Sequence, residues 1–205
     1  SNIKDVINQN NNFSIIGCQY SHDRVFMPAG FFDKKKNQKF EDNFRNDKID
    51  DLAEVDWVTG CSMLLNYKKF KDKKIFDENF FLYFEETDYC FRSNKNNFKI
   101  YQVNSQKVYH DIGTSVETKN EEELSKLKSL YSWHFIWSKF YYYRKRYGKF
   151  IALMLFLPAL LRIIFRICLN TISGNKKNKS KYQIRLNGLI NSIKNNKSFK
   201  RIEDF

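Results

Sequence analysis

The sequence predicts an α/β fold on three observations. Short apolar runs at 13–18, 55–65 and 98–103 have the length and the aromatic or β-branched content of strands. The acidic stretch ending at Arg92 has helical spacing, and from Glu121 the apolar period changes to three or four residues. Aromatic residues make up 17% of the 205 positions while Gly and Pro number only 7 and 2. That balance excludes a disordered or collagen-like chain and leaves enough apolar mass for a core.

Charge divides the chain. Residues 1–117 hold 17 Lys/Arg against 18 Asp/Glu, and residues 118–205 hold 19 against 5. The net +13 therefore lies entirely in the second part, which predicts a near-neutral α/β region over 1–117 and a basic helical extension over 118–205. Cys18, Cys61, Cys90 and Cys168 are far apart and lack ligand spacing, so neither a zinc site nor a disulfide framework is expected. Free thiols fit a reducing cytoplasm, and no secretory signal is expected.

Taken in order, residues 1–12 are polar and Asn-rich and read as a loop or frayed helix. Residues 13–18 read as a short buried strand ended by a turn, and the charged stretch 31–51 reads as a surface loop. A Ca²⁺ loop there is disfavoured because its carboxylates lack the register and turn glycine such loops use. Residues 55–65 are mostly apolar, as in a central strand buried on both faces, with Asp56 the exception. Residues 67–74 read as a short basic helix or turn.

Five aromatics (Phe76, Phe80, Phe81, Tyr83, Phe84) then run directly into Glu85, Glu86 and Asp88. Carboxylates beside such a cluster need a partner, a shifted pKa or a place in a site wall. The simplest arrangement puts the aromatics in the core and the carboxylates at a helix N-terminus, where the dipole favours them. Arg92, four residues after Asp88, supplies a counter-charge. A turn over 93–97, with left-handed backbone available at Asn97, leads to the strand 98–103, and His110 stands at a later strand end before Gly113.

From Glu121 a helix carries Leu124, Leu127, Tyr131, His134, Trp137 and Tyr141 on one stripe, with acids at its start and Arg144–Arg146 before Gly148. Residues 150–169 are nearly all apolar, broken by Pro158, Arg162 and Arg166. The charge-free run 150–161 has 12 residues, short of the ~20 that span a bilayer. Basic flanks on both sides argue against a single crossing. The segment reads as an interfacial helix on anionic lipid, with the two arginines snorkelling and Trp133, Trp137 and Tyr141–Tyr143 suited to the interface. A helix packed on the globular part is the plainer alternative. Residues 174–205 read as a loosely ordered tail with a weak helix at 184–193.

Several of these residues fall into one recognisable order: Val55-Asp56-Trp57-Val58-Thr59-Gly60, then Phe76-Asp77-Glu78, Phe80-Phe81-Leu82-Tyr83-Phe84, Glu85-Glu86-Thr87-Asp88 and His110. In order and spacing, residues 50–115 resemble inverting family-two glycosyltransferases, especially the bacterial rhamnosyltransferase-like group. The resemblance implies part of a Rossmann-like GT-A sheet. It implies that Glu85 or Glu86 is the catalytic base, with Glu85 favoured because Asp88 and Arg92 would then support it. Asp56, Trp57, Thr59, Gly60, Asp88 and Arg92 would contribute to substrate binding. His110 would be a ligand for Mn²⁺ or Mg²⁺ on the donor diphosphate. For Asp56 and Gly60 the alternative is a strand-initiating acid and a bulge glycine; for the acids after Phe84 it is helix capping and structural ion pairs. Lys74-Ile75, Asn97 and Asn104 stand where relatives place Gly or Pro, and Glu86 where Asp is commoner.

The same resemblance implies a nucleotide-sugar donor, with dTDP-rhamnose a family-level guess. The acceptor would be polyprenyl-linked or a glycan in cell-surface polysaccharide synthesis, at the cytoplasmic face of the cell membrane. Nothing before Phe13 resembles the family's nucleotide-binding strands, and no Asp-x-Asp motif occurs. About a hundred family-typical residues are therefore expected to precede Ser1, and the isolated chain is expected to be short of a donor site. Two other functions compete: a non-catalytic remnant that binds membrane or a partner, and nucleic-acid binding through the basic region. The second is disfavoured because the basic residues flank an apolar segment, which suits lipid better than a phosphate groove.

Overall fold

The computed structural model describes residues 12–22, 25–27, 29–33, 38–40, 52–70, 74–110 and 116–205, with 4, 7 and 8. The expectations for most of 1–11, for 34–37 and 41–51, and for the Gly113 turn lie outside the described residues. Mixed α/β content is present, in two compact units. One comprises Ser1–Asp77 with Glu86–Val116, the other Glu78–Glu85 with Glu117–Phe205. The chain is thus not divided at a single point near 117, because 78–85 clusters with the helical part.

The first unit is built on a mixed five-stranded sheet. Its strands are β1 (Phe13–His22), β2 (Val25–Met27), β5 (Leu52–Val55), β6 (Met63–Leu65) and β7 (Lys99–Tyr109). β1 and β7 pair in parallel at its centre, β5 lies antiparallel against β7, and β6 and β2 share the other side of β1. A separate two-stranded sheet joins β3 (Gly30–Phe32) to β4 (Gln38–Phe40). Strand alternation sends Ile15, Val55 and Ile100 to one core cluster, with Trp57, Val58, Phe70, Tyr89 and Cys90. Ile16 and Val103 join Phe13 on the opposite face.

Four readings change. β1 does not stop at residue 18 but runs to His22, and Gly17 within it lets the Val58 side chain approach, since a Cβ there would sit 2.7 Å from it. The run 55–65 is not one central strand. β5 ends at Val55, is an edge strand, and is followed by irregular chain before β6. Part of the predicted loop 31–51 is strand, as β3 and β4. β7 continues through Tyr109, so the strand expected at 98–103 and the later strand end before His110 are one element. The turn at Asn97 does have left-handed backbone, with φ 57°.

Helix α1 (Glu85–Lys95) follows Phe84, and α2 (Glu121–Ile172) and α3 (Lys176–Ile193) build the second unit. Asn120 caps α2 by accepting from the Glu123 N–H. Helical geometry fails within α2 at Gly148 (φ 80°, ψ 165°), a region open almost only to glycine. The arms on either side fold back on each other. Phe156, eight residues after Gly148, meets Phe140, eight before it, with ring centroids 5.2 Å apart. In a straight helix those residues would be about 24 Å apart.

α3 runs parallel to the first arm: Arg185 donates to Ser132, Trp133 to Asn187, and Ser192 to the Trp137 carbonyl. The predicted loose tail is instead one long helix and an anchored end. His134 contacts both Ser198 and the Lys200 carbonyl at 2.9 Å, and Trp137 donates to the Asn196 carbonyl.

Candidate functional site

Residues 56–60 and α1 lie alongside each other with a shared repeat. Asn94 Nδ2 donates to the Asp56 carbonyl at 2.7 Å, Cys90 Sγ faces the Val58 carbonyl at 4.0 Å, and Glu86 Cγ lies 3.5 Å from where a Gly60 Cβ would be. Every second residue of the extended segment thus meets every fourth of the helix. Two extended residues rise about 6.6 Å and four helical ones about 6.0 Å, so the match holds over the whole stretch. This is the physical link between two phrases separated by 25 residues of sequence.

The match also separates Asp56 from the glutamates. Asp56 sits at the C-terminal end of α1, about 12 Å of helix away from Glu86. Its Oδ2 accepts from the Phe32 N–H at 2.8 Å, while its own N–H donates to Gly30. Trp57 is buried and donates from its ring to the Phe31 carbonyl. Both residues fasten β3 to the sheet, and the cleft of about 240 Å³ beside Asp56 is bounded by Phe32, Phe91, Asn94 and Lys95. Thr59 lies 3.2 Å from Cys61 Sγ, and Gly60 is exposed with room for a methyl group beside Glu86. Gly60 is the proposed binding residue that lies against Glu86.

Asp88 and Arg92 form a brace. Asp88 is fully buried and accepts from Arg92 Nε at 2.8 Å. The guanidinium also donates to the carbonyls of Lys74 and Ile75 and lies over the rings of Phe70 and Tyr89. This pair pins the segment leading into Phe76 to α1 and leaves the carboxylate no access to a ligand. Asp88 and Arg92, expected to contribute to substrate binding, are engaged with each other in this brace.

The aromatic run is not uniformly core. Phe80 is buried, but Phe76, Phe81 and Tyr83 are 40%, 43% and 38% exposed. In the second unit Ser138 donates to the Leu82 carbonyl at 2.7 Å and Asn79 to the Tyr141 hydroxyl, while Tyr83 and Phe84 pack edge-on or tilted against Phe135. With Leu82 held, the chain turns through two consecutive left-handed residues, Tyr83 (φ 66°) and Phe84 (φ 71°). For bulky residues this costs roughly 1–2 kcal/mol each. Such conformations persist where surrounding contacts enforce them, and they concentrate at functional sites. Nothing in the sequence announces them, since neither position is Gly or Asn.

That turn delivers Glu85 as the first residue of α1. Its Oε2 is buried without a hydrogen-bond partner, and desolvation raises its pKa despite a backbone hydrogen bond that lowers it. Glu86 is placed differently, along Gly60, with the Thr87 hydroxyl 3.4 Å from its Oε1. The neighbouring Tyr83 phenol is pushed up by burial, by Tyr131 and by Glu85. A carboxylate with one unpartnered oxygen and raised basicity can accept a proton from a bound hydroxyl.

His110 follows the end of β7 and precedes residues outside the described set. Among the described residues no three His, Cys, Asp or Glu side chains converge on a point that could hold a metal ion. His110 by itself does not supply the oxygen-rich set that Mg²⁺ or Mn²⁺ takes. No family model, no curated protein and no solved structure matches this chain.

Proposed function

We propose that the protein takes part in inverting transfer of a sugar from a nucleotide-sugar donor, with Glu85 as general base. The observation that supports this most is Glu85, whose Oε2 is buried without a hydrogen-bond partner and whose pKa is raised by desolvation, at the end of an enforced left-handed turn. The acceptor oxygen would attack the anomeric carbon as its proton passes to Glu85, the new glycosidic C–O bond forming while the bond to the donor diphosphate breaks. The registry between 56–60 and α1 supports the reading because it joins the two phrases on which the resemblance to family-two glycosyltransferases rests. A Rossmann-like GT-A sheet is part of the same proposal. So is a divalent ion on the diphosphate, which would need ligands beyond His110.

Membrane association belongs to this reading too. Helix α2 (Glu121–Ile172) is long and apolar enough by composition to cross a bilayer, and only 17% of its most apolar window is buried. Its exposed Phe150, Leu161, Phe165 and Ile172 support a monotopic or peripheral seat at the cytoplasmic membrane face, beside a polyprenyl-linked or glycan acceptor. The test is transfer of radiolabelled sugar by membranes carrying the protein with its native flanking sequence. Glu85→Gln should lower the rate by about 10²-fold or more, the usual worth of a positioned base, and Glu86→Gln by clearly less. Full activity in Glu85→Gln would remove the assignment.

A further inference from the structure

Within the second unit, a cleft of about 710 Å³ opens between the first arm of α2 and the start of α3. Its cations are Lys128 from α2 and Lys177, Lys181 and Arg185 from α3. The last three recur every four residues and so share one face of α3. Opposite them, Ser125, Ser129 and Ser132 recur along one stripe of α2, and Arg185 Nε is oriented by the Ser132 hydroxyl at 3.0 Å. No carboxylate is among the described residues that line the cleft, and its remaining wall includes the rings of Tyr83, Tyr131 and Phe135. Lys177 and Lys181 lie in the first turns of α3, where the helix dipole adds to their field.

Four cations and a stripe of serines, with no acid among the described lining residues, suit a phosphate oxygen cluster better than a carboxylate or a neutral ligand. Chain continuity indicates where that phosphate comes from. α3 begins four residues after Ile172, which is 86% exposed and ends an arm whose Phe150 is 77% exposed. An apolar arm followed directly by a cationic cleft has the order of acyl chain and headgroup. We infer that this cleft binds the terminal phosphate of a membrane lipid. The inference does not depend on sugar transfer, and its test reads binding alone.

The test is flotation of the full chain with phosphatidylcholine vesicles containing either phosphatidic acid or phosphatidylserine, at matched surface charge. Phosphatidic acid presents a terminal phosphate and phosphatidylserine does not. The wild type should prefer phosphatidic acid several-fold. The triple variant Lys128→Gln, Lys177→Gln, Lys181→Gln should lose that preference while retaining the thermal unfolding profile, since all three side chains are exposed. A control with the same charge loss outside the cleft (Lys149→Gln, Lys194→Gln, Lys197→Gln) should keep it. Equal binding to both vesicles by the wild type would overturn the inference, as would equal loss in both triple variants. Binding of soluble pyrophosphate in calorimetry, without any vesicle preference, would overturn the lipid source.

Discussion

Glu85 and Glu86 are neighbours of the same residue type, and their environments set them apart. One carboxylate has an oxygen buried without a hydrogen-bond partner, and the other lies along Gly60. The raised pKa of Glu85 fixes the sign of a pH effect: the acid limb of sugar transfer should lie above the ordinary carboxylate range, because the base works only when ionised. Asp88 answers burial in the opposite way, by pairing with Arg92. Removing one partner strands the other, so Arg92→Met should cost about 3 kcal/mol in denaturant unfolding, and Asp88→Asn with Arg92→Met should recover part of it. A double variant no more stable than Arg92→Met would show that the guanidinium acts mainly through its contacts to 74–75. The sequence spacing made this pair legible at i and i+4. It did not reveal that Asp88 is fully inside while Arg92 stays partly exposed.

At the scale of elements, Gly148 decides what a 52-residue run of helix-forming sequence becomes. The sequence placed basic residues and a glycine together there, as at a helix end, but the reversal depends on Phe156 packing against Phe140 and Tyr143. A side chain at residue 148 cannot take this backbone without strain, so Gly148→Ala should destabilise the second unit by about 1–3 kcal/mol. Thermal unfolding followed by circular dichroism checks this, and an unchanged midpoint would mean the two arms need no reversal. Helix α3 was misread as a mostly loose tail because its composition is Lys- and Asn-rich. Its order comes from partners on α2 some fifty residues away. Conversely, 55–65 has the composition of a buried strand, yet the chain leaves the sheet at Asp56 because β3 and α1 offer its backbone other partners.

Over the whole molecule, stability should carry a pH signature from His134. Its ring is buried between Ser198 and the Lys200 carbonyl, and burial holds its pKa below the usual value of 6.5, with Arg201 adding to the depression. The unfolded chain then takes up a proton before the native one does. The contribution is complete above pH 6.5 and is lost as the pH falls toward and through the native value. Glu85 has the opposite sign, because its native pKa is raised. The useful quantity is therefore the difference in slope of unfolding midpoint against pH between wild type and His134→Gln, which should be shallower between pH 7 and 5. Equal slopes would show that the anchoring of the C-terminal end is not proton-linked.

The sequence by itself determined the α/β content, the segregation of charge, the acidic helix start with its i, i+4 counter-charge, and the apolar arm, because each is carried by local spacing or composition. Only the tertiary structure decided which glutamate is stripped of partners, that Asp56 is held away from the acidic pair, and where α2 reverses. Those outcomes depend on which distant groups satisfy or desolvate a side chain, and no local pattern in the chain records that.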